Sequence, residues 1–228
     1  MTLPQRISIS SALISLATMG LCYAIALSSG SVPTCIPWLE GCAPITDTGI
    51  SYPEAYYFRA GFISSGVLMI IWWYCMRAYL YEVRDKPSNY WLKLIFKSSI
   101  LASLFLVVSV TVLGPHMEDS KVTKGLWQLH TITAVLFFLL TTINQIAVTW
   151  WLNKSIKKHH HGFVTLRVKK VINVLQVVFL LWLFSHFISE LSREATNIIE
   201  WWLAILSALY LLTGYWDWKE FKLVRGEA

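Results

Sequence analysis

Two cysteines and three carboxylates fall within one polar stretch between apolar runs, Cys35 to Arg59, CIPWLEGCAPITDTGISYPEAYYFR. Cys35 and Cys42 are seven residues apart, a spacing that suits a disulfide in an oxidising compartment. Metal ligation is the alternative, but no second Cys or His pair stands nearby at metal-ligand spacing. Thr46-Asp47-Thr48-Gly49 has the form of a tight turn, in which Asp bonds its own backbone and Gly supplies φ > 0. Asp47 could also bind a polar head group or exchange a proton. An aspartic-protease reading of Asp-Thr-Gly fails, because that chemistry needs two aspartates in one site and the motif occurs once. Ser51-Tyr52-Pro53-Glu54 has the form of a capping box with Pro in the first turn. Asn197-Ile198-Ile199-Glu200 repeats the form. Glu54 and Glu200 therefore each have a structural reading beside a functional one.

Three histidines join these acids. His186 and Glu190 are four apart and share a helical face. His130 lies near the start of an apolar run, where the helix dipole would disfavour its protonation and leave it available as a base. His116 sits in a polar connection with Glu118 and Asp119. Ionisable groups in or near spans mark functional sites, although a packed, hydrogen-bonded histidine is the commoner case. The candidate ligand-binding set is Asp47, Glu54, His116, His130, His186, Glu190 and Glu200. Asp47, His130 and Glu190 are the candidates for acid/base work. No serine of the polar loops has an activating base beside it, so no nucleophile is assigned and catalysis is left open. No metal set and no cofactor is identified. Haem would want histidines on facing helices at matched depth, and no second pair is present.

The elements that must hold these residues are membrane helices. Of the 228 residues, 56% are hydrophobic and 14% charged, with mean hydropathy +0.54. Soluble domains carry about a quarter charged residues, so this composition excludes one. Six runs reach the length of about 20 residues that a span requires: Ser8–Ser28, Tyr56–Tyr79, Leu92–Leu113, Leu126–Leu152, Val171–Ile188 and Ile198–Tyr215. The first run is too long for a signal-peptide core and lacks a small-x-small cleavage site, so it is expected to be retained. Cys22 and Cys75 fall within spans and are expected to pack.

Of the 19 lysines and arginines, 15 fall on one side of this layout; Arg59, Lys121, Lys124 and Arg193 fall on the other. The basic side is expected to be cytoplasmic. The net charge of +6 is then an orientation signal that also favours anionic head groups, not a nucleic-acid surface. Lys157-Lys158-His159-His160-His161 is expected to be a solvated loop on that side, and the Asn153-Lys154-Ser155 sequon faces away from glycosylation.

Three stretches taken in order resemble a known family. They are Pro44 to Gly49 with Pro53-Glu54 and Phe58; His130 with Ala134 and Phe137-Phe138; and Ser189-Glu190 with Glu200-Trp201 before Tyr215-Trp216-Asp217. The set is similar to the damage-regulated autophagy modulators (DRAM type), which include the post-GPI-attachment lipid-remodelling factors. In that family the first stretch usually reads Ile-Ser-Asp-Thr-Gly before a Pro-Glu, so Thr46 is a departure, as is the aromatic sixth span. The resemblance covers nearly the whole chain and implies a multi-pass protein acting on or regulating membrane lipids, without a defined catalytic residue.

The expected fold is an all-α polytopic membrane protein: one domain, 1–228, forming a six-transmembrane helix bundle with both termini cytoplasmic and a structured extracytoplasmic loop between helices 1 and 2. That loop should fold onto the bundle mouth, bury Ile36, Trp38, Leu39, Ile45 and Ile50 against the helix tops or lipid, and bring Asp47 near His130 and the His186/Glu190 face. The expected function is to bind, remodel or regulate membrane lipids through a polar pocket at that face. A non-enzymatic scaffold that binds a protein partner within the membrane is the alternative. A small-solute transporter is a third reading, hinted at by Asn144, Gln145, Asn173 and Gln176. The expected partners are membrane lipids and not nucleic acid. The membrane is the plasma (inner) membrane if the source is prokaryotic and an endomembrane if it is eukaryotic.

Overall fold

The computed structural model describes residues 1–83, 89–114, 121–156, 163–185 and 192–219. Among these there are helices and no strands. In chain order they are α1 (Leu3–Ser28), the one-turn α2 (Pro37–Glu40), a 3₁₀ turn (Thr46–Gly49), α3 (Glu54–Val83), α4 (Asn89–Val112), α5 (Lys121–Ile156), α6 (Phe163–Ser185) and α7 (Arg193–Asp217). Six of them, all but α2 and the 3₁₀ turn, are long and apolar enough to cross a membrane. A backbone in lipid must satisfy its own hydrogen bonds, and an unbroken helix does this within one segment.

The helices outrun the apolar windows. α6 begins at Phe163, eight residues before the expected start, and α5 reaches from Lys121 to Ile156. Helix ends are polar, so an apolar count stops short of them. α1 begins at Leu3 because Thr2 caps it: the Thr2 hydroxyl accepts from the Gln5 amide, and the Gln5 carbonyl oxygen accepts from the Thr2 amide at 2.9 Å. The expected end of the fifth span, Ile188, lies outside the described residues.

Neighbours in sequence are neighbours in space. α1 packs on α3, α3 on α4, α4 on α5, α5 on α6 and α6 on α7, and α7 returns to α1. α2 rests on α7, and the 3₁₀ turn rests on α1 and α3. The bundle thus has a loop end, capped by residues 35–50, and a terminal end, where α1 begins and α7 finishes. At the terminal end Trp72, Trp73, Trp151, Tyr210 and Trp218 form an aromatic core. The Trp72 indole donates to the Leu211 carbonyl at 2.9 Å. Within that core Lys169 and Asp217 pair at 2.8 Å, with side chains 0% and 6% exposed. At the loop end Met19, Cys22, Ile45, Phe58, Phe62 and Trp201 form a second cluster.

The midspan amides stitch helices together. Asn144 accepts from Ser98 at 2.6 Å, joining α5 to α4. Asn173 donates to Thr149 at 2.9 Å, joining α6 to α5. The backbone carbonyl of Gln145 accepts from Tyr210 at 2.9 Å, and the Gln176 side chain donates to Ser207 at 3.3 Å, so both positions bring in α7. Cys22 and Cys75 are free and buried.

Candidate lipid-binding site

The loop is held to the bundle through its backbone carbonyls. Asn197 donates to Gly41 at 2.7 Å, Trp201 to Ala43 at 2.9 Å and Trp202 to Trp38 at 3.0 Å, all from α7. Gly41 has φ 67°, and a Cβ there would lie 2.1 Å from the Glu194 carbonyl oxygen. Only glycine fits both the left-handed backbone and that approach. The Cys35–Cys42 disulfide closes the segment that contains it, with Cα atoms 6.5 Å apart.

The 3₁₀ turn sets Asp47 and Thr46 over the gap between α5 and α7. The Thr48 amide and hydroxyl both donate to the Ile45 carbonyl. Gly49 has no positive φ, contrary to the turn chemistry read from the sequence. Its role is space: a Cβ would come 2.3 Å from the Phe58 ring. The loop's apolar side chains divide. Ile45 is buried, whereas Ile36, Trp38 and Leu39 stay 43%, 38% and 61% exposed. Trp38 and Leu39 lie on the one-turn α2, with Ile36 just before it, and one turn is too short to direct all three inward.

Asp47 pairs with Arg193 at 3.4 Å in an exposed contact. Beneath it the Thr46 hydroxyl donates to Glu200 at 3.0 Å. Glu200 is therefore not a capping residue. α7 starts at Arg193, where the Ser192 side chain accepts from the Ala195 amide, so Asn197 and Glu200 lie inside the helix with side chains directed to the loop. Glu54 does not close a capping box either: its carboxyl is fully buried, and neither oxygen has a hydrogen-bond partner among the described residues.

His130 lies nine residues after the first residue of α5, beyond the reach of the helix dipole, which fades within one turn. Its tautomer is set by α4. The ring Nδ1 lies 2.9 Å from the Ser109 carbonyl oxygen and 3.0 Å from the Ser109 hydroxyl. A carbonyl can only accept, so Nδ1 carries a proton and donates it. In the neutral ring Nε2 then holds the lone pair. Trp127 packs edge-on against the ring at 5.5 Å.

These residues line two adjoining spaces. A cleft of about 570 Å³ at the loop end is walled by Thr46 and Asp47 of the loop, Trp127, His130, Ala134 and Phe138 of α5, Leu183 of α6, and Arg193, Asn197, Glu200 and Leu203 of α7. A narrower cavity of about 70 Å³ runs into the bundle between Met19, Phe62, Met69, Leu106, Phe137 and Leu211. Thr46, His130, Ala134, Phe138 and Glu200 line both. Asp47, His130 and Glu200 are thus brought to one cleft. Glu54 lies elsewhere, against Cys22 of α1. His116, His186 and Glu190 lie outside the described residues.

The family model for the Frag1/DRAM/Sfk1/Cwh43P N-terminal domain matches residues 5–221. The chain belongs to this family. No curated protein and no solved structure matches it. In this Frag1/DRAM-family chain the stretches that carry the resemblance do separate jobs: Pro44 to Gly49 forms the turn over the cleft, His130 to Phe138 forms one wall, and Asp217 is half of the ion pair at the far end. Sequence reasoning missed Arg193, Asn197, Thr46 and Ser109. Arg193 left a signal, being one of four cations on the acid-rich side. Among the described residues no group of three His, Cys, Asp or Glu side chains could hold a metal ion.

Proposed function

We propose that this membrane protein binds a phospholipid in the cleft between α5 and α7, with both termini cytoplasmic and the loop end extracytoplasmic. The shared wall of Thr46, His130, Ala134, Phe138 and Glu200 carries the reading, because it joins a polar cleft mouth to an apolar interior. A cleft of about 570 Å³ falls in the range of small-molecule sites, which are mostly apolar with a few placed polar groups. Arg193 offers a fork to a phosphate. Glu200 and the His130 Nε2 accept from an ammonium or hydroxyl of the same head group. Ala134, Phe138, Leu183 and Leu203 supply an apolar floor for the proximal acyl chain.

Binding fits the geometry better than covalent acyl transfer. Among the described residues the Ser109 hydroxyl lies 3.0 Å from the His130 ring, but it faces the protonated nitrogen, which cannot take its proton. The scaffold reading places the same carbonyl-anchored loop at a protein interface and leaves the cleft without a role. The orientation rests on the basic asymmetry and on the disulfide, which belongs in an oxidising compartment.

The test is the phospholipid retained through purification, extracted and quantified. Arg193→Gln and Ala134→Trp should each lower it severalfold relative to wild type, with monodisperse protein in every case. Wild-type lipid content in both variants would refute the proposal.

A further inference from the structure

A second recess lies toward the terminal end, between α5 and α6, with a volume of about 480 Å³. α5 presents Ile146, Thr149, Trp150 and Asn153 to it, spaced 0, 3, 4 and 7 along one helical face. α6 answers with Lys170, Asn173, Val174, Val177 and Val178, at 0, 3, 4, 7 and 8. Such matched stripes ordinarily close a helix pair. Here Asn173 donates to Thr149 and Lys170 to Asn153 across the pair, while Val174 and Val178 on the open side remain 61% and 53% exposed.

The polar groups gather at one end of the groove. Lys170 donates to Asn153 across the helix pair at 2.9 Å. The Lys154 ammonium lies 3.6 Å from the centre of the Trp150 ring. Among the described residues no acid lines the groove. α5 runs to Ile156 and α6 begins at Phe163. At a rise of 1.5 Å per residue, Trp150 and Lys170 sit about 9 and about 10.5 Å inside those helix ends. That is one common depth, suited to an indole and a snorkelling ammonium at the head-group boundary. Past Thr149 and Asn173 the walls are aliphatic, formed by Ile146, Val174, Val177 and Val178.

We infer that this groove is a site for one anionic phospholipid, its phosphate held by Lys170 and Lys154 and an acyl chain laid along the Val174 to Val178 face. Charge selects the occupant: Lys170 on the groove wall and Lys154 over Trp150, with no acid among the described lining residues, favour a net negative head group over a zwitterionic one. The site is independent of the α5–α7 cleft and lies toward the opposite end of the bundle.

Native mass spectrometry of the detergent-solubilised full chain, titrated separately with phosphatidylglycerol and phosphatidylcholine, tests this. Wild type should prefer phosphatidylglycerol. Lys154→Gln/Lys170→Gln should weaken that binding about thirtyfold, at about 1 kcal/mol per surface cation, and weaken phosphatidylcholine binding less, so that the preference is lost. Val174→Trp should block the groove and lower phosphatidylglycerol binding with the lysines intact. Equal affinity for the two lipids in wild type, or an undiminished preference in the double lysine variant, would overturn the inference. So would a wild-type dimer that Val174→Trp dissociates, since the groove would then seat a second copy. Both lysines are exposed, so the double variant keeps the test decisive if Val174→Trp fails to fold.

Discussion

At the scale of single residues, charges and glycines here are explained by their neighbours. The sequence marks Lys169 only as one more cation on the basic side. In the fold it is fully buried beside Asp217, hydrogen-bonds to Thr213 and lies 4.6 Å from the centre of the Tyr210 ring. Removing one partner of a buried pair costs about 3–5 kcal/mol, because the other charge is left without compensation. Lys169→Met should therefore melt well below wild type in a thermal-shift assay read by size exclusion. Lys169→Met/Asp217→Leu should recover most of the loss. Wild-type melting of the single variant would contradict a structural role for the pair. Gly49 and His130 follow the same rule. The turn motif announces a glycine but not that Phe58 fills the place of its side chain. Which nitrogen of His130 holds the proton depends on a carbonyl 21 residues earlier in the chain, and no local pattern carries that.

At the scale of elements, six spanning helices were legible because length and apolarity alone decide them. Their ends were not, since caps depend on a few polar residues. Glu200 shows the difference. Asn-x-x-Glu before an apolar run has a capping form, yet Ser192 caps α7 five residues earlier and frees both side chains for the loop. The loop between α1 and α3 is the element with most tertiary dependence, since three α7 side chains hold its carbonyls. Its disulfide closes a short ring, and such a closure contributes about 2 kcal/mol in the chain-entropy model. Intact mass after alkylation of the unreduced, denatured protein should show two blocked thiols, Cys22 and Cys75. Four blocked thiols would contradict both the disulfide and the oxidising side assigned to the loop.

At the scale of the whole molecule, the arrangement of the helices makes the site. α1, α3, α4, α5 and α7 line the inner cavity, and α6 stands outside it. α6 leaves a cleft on its α7 side at one end and a groove on its α5 side toward the other. Composition foretold a helical bundle but not which pair of helices would part. Parting depends on side-chain size at each crossing, and Ala134 keeps the shared wall of cleft and cavity low. Asp47, His130 and Glu200 were legible as an acid and histidine set. Arg193 completes that set only when the chain folds. The central claim, that a phospholipid occupies the α5–α7 cleft, is tested most directly by photolabelling. Protein reconstituted in vesicles containing phosphatidylethanolamine with a diazirine in its acyl chain is irradiated, and the modified peptides are sequenced. The account predicts label on the cleft residues Phe138, Leu183 and Leu203, lost in Ala134→Trp. Label confined to exposed side chains such as Leu129, Ile132 and Leu209, and indifferent to that substitution, would contradict it.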